Sequence, residues 1–176
     1  MSGILIRDAT EADIPALTVI HNWGVRETTA LWTTQEVDAG ERRAWLEERR
    51  RAGLPVLVAE SEAGVFVGYA AYMPWRAKDG YRLTVEHSVY VSPGYAGKGI
   101  GRALMRELVE RARAQGLHAM VGMIEAENAA SIALHERFGF EIVGKMPQVG
   151  QKFGRWLNLT IMQLTLDGRE TPETPL

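Results

Sequence analysis

The sequence predicts a single α/β domain, and three observations carry that expectation. Residues 83–91 alternate apolar and polar side chains with the period of a strand. Ile100, Leu104, Leu108 and Ala112 recur with the period of a helix, and a glycine-rich segment joins the two elements. The chain has 176 residues, 46% hydrophobic and 24% charged, so one domain spanning residues 1–166 can enclose its own core. No internal repeat or long linker interrupts it.

In chain order, residues 4–7 form a short strand. Thr10-Glu11-Ala12-Asp13 then supplies an N-cap candidate and carboxylates for the start of a helix carrying Ile14, Leu17, Val19 and Ile20. Residues 28–34 make an aromatic-bearing loop. Residues 39–51 form a second helix whose Trp45 and Leu46 stand among so many charges that only a narrow face is buried. Residues 55–60 and 65–73 are rich in β-formers and separated by Ser61-Glu62-Ala63-Gly64, so they pair antiparallel. The strand over 83–91 stops at Ser92-Pro93-Gly94. Its alternation sets Val85, His87, Val89 and Val91 on one face and Thr84, Glu86, Ser88 and Tyr90 on the other, so a bulge is needed for Glu86 and His87 to reach one substrate. The helix from Ile100, with Met105 and Val109 beside its apolar stripe, ends near Gly116. Residues 119–124 read as a strand, 128–138 as a helix stopped by Gly139, and 140–145 with 156–166 as closing strands. The tail, 167–176, has two prolines and little to bury, and is expected to fray.

Composition excludes several functions. A net charge of −2, from 20 Lys and Arg against 22 Asp and Glu, gives no global positive field for nucleic acid or an anionic membrane. The absence of cysteine removes disulfides, zinc–thiolate sites and thiol nucleophiles. No apolar run approaches the roughly 18 residues of a membrane span, and the first residues lack the pattern of a signal peptide, so a cytoplasmic location is expected.

The strongest local signal is Gly97-Lys98-Gly99-Ile100-Gly101-Arg102, between a strand and an amphipathic helix. Glycines let the backbone approach a ligand without a Cβ clash. The first helical N–H groups are free donors at the positive end of the dipole, so an anion such as pyrophosphate is held there, with Lys98 and Arg102 adding charge. This is not a magnesium-nucleotide P-loop, because the lysine lies between glycines and no Ser or Thr follows. It is not the dinucleotide pattern either, since Arg102 stands three after Gly99. A glycine turn that merely starts a helix is the plain alternative. Downstream, Asn128, Ser131 and His135 share one helical stripe beside the apolar Ala130, Leu134 and Phe138. Asn128 serves equally as an N-cap or as a ligand contact. His135 alone is more commonly a satisfied core or surface histidine.

Together, Ala96 to Gly101 between strand and helix, then Asn128, Ala130-Ser131, Leu134-His135 and Phe138-Gly139-Phe140, resemble the acetyl-CoA-binding core of the GNAT superfamily of N-acetyltransferases. The resemblance spans nearly the whole chain. Thr84-Val85-Glu86-His87-Ser88-Val89-Tyr90-Val91, Leu134-His135-Glu136 and Pro147-Gln148-Val149-Gly150 with Lys152-Phe153-Gly154-Arg155-Trp156 resemble its phosphinothricin and methionine sulfone or sulfoximine branch. The resemblance implies the GNAT fold, a mixed, mostly antiparallel, splayed sheet flanked by helices. It implies acetyl-CoA as donor, no metal and a homodimer. The acceptor is then the α-amine of a small amino acid such as phosphinothricin, methionine sulfoximine or methionine sulfone, attacking the thioester without an acyl-enzyme.

The same resemblance assigns residues. Backbone donors of Gly97, Lys98, Gly99, Ile100, Gly101 and Arg102 cradle the pyrophosphate, although Ala96 stands where the family motif normally begins with Gln or Arg. Val89, Tyr90 and Val91 pair their backbone with the pantetheine arm, an N–H there polarising the thioester carbonyl, and Asn128 contacts the cofactor. His135 stands where the superfamily often has Tyr as the acid for the leaving thiolate, and that role lies open between His135, Tyr90 and water. An α-amine, with a reference pKa of about 7.7–8.0, is largely protonated near neutrality and needs a base. Glu86 matches the branch's proposed catalytic glutamate, its plain alternative being a solvated strand carboxylate. Arg76 and Lys78, in the loop before that strand, offer cations for the substrate carboxylate. Trp32 walls the pocket and His87 adjoins it. An acetyltransferase for a peptide N-terminus, polyamine or aminoglycoside would instead present an open, acidic groove. A non-catalytic acyl-CoA sensor would leave Glu86 idle.

Overall fold

The structure is a computed structural model and describes residues 3–172. Seven strands form one sheet: β1 (Leu5–Asp8), β2 (Val56–Glu60), β3 (Phe66–Pro74), β4 (Thr84–Val91), β5 (Ala119–Glu125), β6 (Glu141–Lys152) and β7 (Arg155–Thr165). Their spatial order is β1-β2-β3-β4-β5-β7-β6. Every neighbouring pair is antiparallel except β4 and β5, which are parallel. Four helices complete the fold: α1 (Ile14–Glu27), α2 (Ala39–Arg51), α3 (Ile100–Ala114) and α4 (Ala129–Glu136). This is the expected mixed, mostly antiparallel sheet flanked by helices. Among the described residues no helix is long and apolar enough to cross a membrane.

The period-2 pattern of the inner strands explains why the sheet is covered on both faces. Leu57 and Ala59 of β2 join Val85, Met120 and the stripe Ile100, Leu104, Met105, Leu108 of α3 in one core. The intervening Val56 and Val58 join Tyr69, Ala71, Ile14, Leu17, Ile20 and Leu46 in a second core under α1 and α2. β4 obeys the same alternation: Val85, Val89 and Val91 pack toward α3, and Tyr90 packs toward the second core. Each fully buried Leu or Ile contributes about 1.5–3 kcal/mol, so both helical layers are firmly held.

Side-chain contacts fix the 3-10 turn Glu11–Asp13 that leads into α1 and the start of α2. Asp13 accepts hydrogen bonds from the Thr10 backbone N–H (2.7 Å) and hydroxyl (3.0 Å), and the Arg7 guanidinium grips its two oxygens at 2.7 and 2.8 Å. Burial pushes the Asp13 carboxyl up, but Arg7 and Thr10 outweigh it and hold the group below its ordinary value. Asp38 and Glu41 form a reciprocal capping box at the start of α2.

Three expectations are corrected. The closing strand expected over 140–145 runs on to Lys152, carried past Pro147 and Gly150 by register shifts at Ile142/Gly144 and Met146/Gly150. The tail does not fray from its start: the Asp167 carboxylate bonds His118 Nδ1 at 2.8 Å and the Arg169 side chain, and Arg169 also donates to the Gly116 carbonyl. Residues 173–176 lie outside the described residues. Finally, β4 pairs with β3 in continuous register from Val85 to Val91, so it carries no bulge.

Candidate active site

The parallel β4–β5 ladder ends early. Thr84, Val85 and Glu86 pair with Ala119, Met120 and Val121, and beyond Glu86 the strands part. A cleft of about 560 Å³ opens in the gap. Because the gap passes between strands, residues from both faces of β4 line it, and Glu86, His87, Ser88, Val89 and Tyr90 all reach it in sequence. The parting strands, without a bulge, therefore bring Glu86 and His87 to one cavity. Asn128, Ser131, Leu134 and His135 of α4 form another wall, and Trp32, Arg76 and Val149 stand around its mouth.

Glu86 is half-buried in this cleft. Burial pushes its carboxyl pKa up, and Arg76 partly offsets the rise. Arg76 lies over the Trp75 ring, 3.7 Å from its centroid, and donates to the Trp75 carbonyl at 2.7 Å. The structure does not bring Lys78 to the cleft: it is exposed before the short 3-10 turn Asp79–Tyr81 and does not line the cavity.

His135 and His87 form a buried pair. His135 Nδ1 lies 2.7 Å from the Ser131 carbonyl, which can only accept, so Nδ1 carries the proton. In neutral His135 the other nitrogen, Nε2, is then an acceptor, and His87 Nε2 donates to it at 3.0 Å. That leaves His87 Nδ1 unprotonated, buried and without a partner. Burial, reinforced by the neighbouring His135, pushes His87 down to about 3, and burial likewise lowers His135. Neutral His135 thus has no N–H free for a leaving thiolate, which weighs against it among the three candidates for that acid, His135, Tyr90 and water. Gly122 of β5 makes room for the pair, since a Cβ there would stand 2.9 Å from His135 Nε2.

The glycine segment borders the cleft rather than lining it. Gly97 and Gly99 adopt left-handed φ values of 76° and 82°, and Gly99 caps α3 with no side-chain cap. The first amides of α3 therefore face no capping side chain. Ile100 is buried in the core, so only its backbone can serve a ligand. Lys98 and Arg102 are exposed, with the Lys98 ammonium 4.8 Å from the Tyr95 ring centroid. The Asn128 side chain caps α4 by accepting from Ser131 N–H at 3.1 Å, and the residue also lines the cleft. Val91 ends β4 beyond Glu86, the last residue paired with β5, and still pairs with Gly68 of β3. An uncapped helix, a left-handed glycine turn and a strand edge without a partner on its β5 side together fit an extended phosphate-bearing cofactor.

Two groups escaped the sequence reading. Lys152, 5% exposed, donates to the carbonyls of Thr28 and Leu31 at 2.6 Å each and of Gly24 at 3.4 Å. It pins the loop that carries Trp32, whose indole N–H donates to Thr29 and whose ring leaves no space for a side chain at Gly150. Arg42 of α2 lies one turn before Leu46 and is buried with it, beside a smaller cavity of about 150 Å³. That cavity shares Leu31, Glu86, Ser88 and Tyr90 with the cleft. Periodicity places Arg42 on the buried stripe, but its charge reads as solvated.

Comparison with known proteins agrees with this geometry. The acetyltransferase (GNAT) family model matches residues 17–140. An L-methionine sulfoximine/L-methionine sulfone acetyltransferase of Pseudomonas aeruginosa is 59% identical over 162 residues, 92% of this chain and 94% of that protein. A phosphinothricin N-acetyltransferase of Streptomyces coelicolor is 39% identical over 87% of this chain and 91% of its own length. Among solved structures, an acetyltransferase from Salmonella typhimurium with its cofactor acetyl-CoA shares 51% identity at a TM-score of 0.95, covering 98% of this chain and 99% of that one.

Proposed function

Because this chain belongs to the GNAT acetyltransferase family, we propose that it moves the acetyl group of acetyl-CoA to the α-amine of a small amino acid carrying a tetrahedral sulfur or phosphorus. Methionine sulfone, methionine sulfoximine and phosphinothricin are the acceptors that the names of its relatives support. The observation that carries this reading is the junction at Glu86, where a half-buried carboxylate and the Arg76 cation share one cleft beside the parted strands.

In this reading the backbone from Gly97 to Arg102 holds the pyrophosphate and the edge from Val89 to Val91 holds the pantetheine arm, with Asn128 beside it. Acetyl-CoA supplies the thioester carbon that the amine attacks; the C–N bond forms as the C–S bond breaks, and coenzyme A leaves as a thiolate that takes its proton from water, balancing the ammonium proton that Glu86 passes on. Arg76 takes the α-carboxylate and Trp32 closes the pocket. Glu86 removes the ammonium proton, directly or through a water, and its raised pKa makes it a stronger base than an ordinary carboxylate. An amide N–H of the β4 edge offers the dipole for the oxygen that becomes negative. The His87–His135 pair stays neutral and shapes the wall.

We also read the protein as a homodimer. Exposed Ile142, Val143, Met146, Val149, Phe153 and Trp156 on and beside the β6–β7 hairpin support that reading. The acceptor is tested by following thiol release from acetyl-CoA with these amino acids, polyamines and short peptides. Turnover confined to the amino acids is expected, and turnover with peptides or polyamines alone would refute the acceptor.

A further inference from the structure

The second cavity poses a question that the reaction above does not use. Arg42 is only 5% exposed, yet among the described residues its guanidinium makes no hydrogen bond or ion pair, and its Nε is enclosed without a partner. Its contact is the face of Trp45, 4.7 Å to the ring centroid. A buried cation with no acceptor is costly to maintain, and in native structures such groups nearly always find one. The ring face satisfies one side of the guanidinium, and although Tyr69, Tyr90 and Glu41 act on it electrostatically, its N–H donors have no hydrogen-bonded acceptor among the described residues.

The cavity beside Arg42 adjoins the acceptor cleft, with Glu86, Ser88 and Tyr90 lining both. Its walls, Trp45, Tyr69 and Ala71 among them, are largely apolar. At about 150 Å³ it admits a short side chain. An amine at Glu86 with its carboxylate on Arg76 leaves the amino acid's side chain free to turn into this space. The methylene stem then meets the aromatic walls and the terminal group meets the guanidinium.

Resting on the acceptor reading above, we propose that this cavity is the side-chain subsite and that Arg42 donates hydrogen bonds to the oxygens on the tetrahedral sulfur or phosphorus of the substrate. Arg42 is then a specificity residue. An amino acid of the same length without those oxygens would seal the guanidinium in without an acceptor, and a site built around a buried donor discriminates strongly against such an analogue. A polyamine would bring its own positive charge to a buried cation and be rejected.

The test compares kcat/KM for methionine sulfone and methionine, which share amine, carboxylate and stem, in the wild type, Arg42→Met and Arg42→Lys. Melting curves and acetyl-CoA affinity identify which variants are folded. The wild type is expected to prefer the sulfone, and Arg42→Met to shrink that preference by about 10- to 100-fold, the size of a charge-assisted hydrogen bond. Arg42→Lys, which keeps the charge but not the planar fork, falls between, and it carries the test if Arg42→Met does not fold. A preference ratio unmoved in the folded variants overturns the proposal. So does an equal loss for both amino acids, which would put Arg42 on the carboxylate. A wild type that acetylates neither amino acid overturns the acceptor reading itself, whereas an active wild type with an unmoved ratio overturns only Arg42.

Discussion

Replacing Gly122 by alanine is expected to break the buried histidine pair, and the size of the effect follows from the geometry. The new Cβ would stand 2.9 Å from His135 Nε2, 3.0 Å from its Cδ2 and 3.2 Å from His87 Nε2. Relief requires the His135 ring to retreat by about half an ångström to reach ordinary contact. The ring is held on its far side by the Ser131 carbonyl at 2.7 Å and sits edge-on to Phe140, so retreat stretches the 3.0 Å bond to His87. Overpacking of this kind costs about 1–3 kcal/mol, and loss of a buried hydrogen bond adds about 0.5–1.5 kcal/mol. A total of about 1.5–4.5 kcal/mol lowers Tm by about 3–18 °C in a chain of this size. Differential scanning calorimetry of the two proteins at pH 7.5 measures it. A Tm within about 2 °C of wild type would refute the pairing of His87 with His135 across Gly122.

Two more outcomes follow from buried cations and bases. Lys152→Met should cost about 1.5–3 kcal/mol for the lost charged hydrogen bonds and raise KM for the acceptor while sparing acetyl-CoA affinity, because the freed carbonyls lie in the Trp32 loop; steady-state kinetics with a melting curve decides, and unchanged KM and Tm would contradict it. Burial lowers His21 to about 4 and His87 to about 3 and also lowers His135, all below the ordinary 6.5. Below pH 6.5 the unfolded chain therefore binds protons that the folded chain refuses, and stability falls as the pH drops. Between pH 6.5 and 5 His21 and His87 each contribute a slope approaching about 1.4 kcal/mol per pH unit. His87→Gln should flatten the curve of stability against pH, and parallel curves for variant and wild type would show that His87 does not titrate this way.

The parts of this fold legible in sequence are those where one period dominates. The alternation over 83–91 yields β4 within a residue, and the apolar stripe from Ile100 yields α3 to within two of its end. Strand β6 was hidden because Pro147 and Gly150 punctuate it, and only pairing with β7 through two register shifts holds it in one strand. Glu86, Arg76, Trp32 and Asn128 do meet at one cleft, whereas Lys78, equally cationic and two residues from Arg76, stays in solvent. Local pattern fixes which face a side chain leaves from, but not where two strands part, so it could not foresee that the β4–β5 gap admits both Glu86 and His87. Arg42 and Lys152 were missed for a related reason. A cation in a charged helix or a hairpin strand reads as solvated until the tertiary structure buries it.

The most direct measurement is the initial rate of thiol release with saturating acetyl-CoA and methionine sulfone, for wild type and Glu86→Gln across pH. If Glu86 is the base, the substitution lowers kcat by about 10²–10⁴-fold, leaves acetyl-CoA affinity intact and removes the acidic limb that the raised Glu86 pKa imposes on the wild type. A variant within about threefold of wild type, with the same pH profile, would contradict the account.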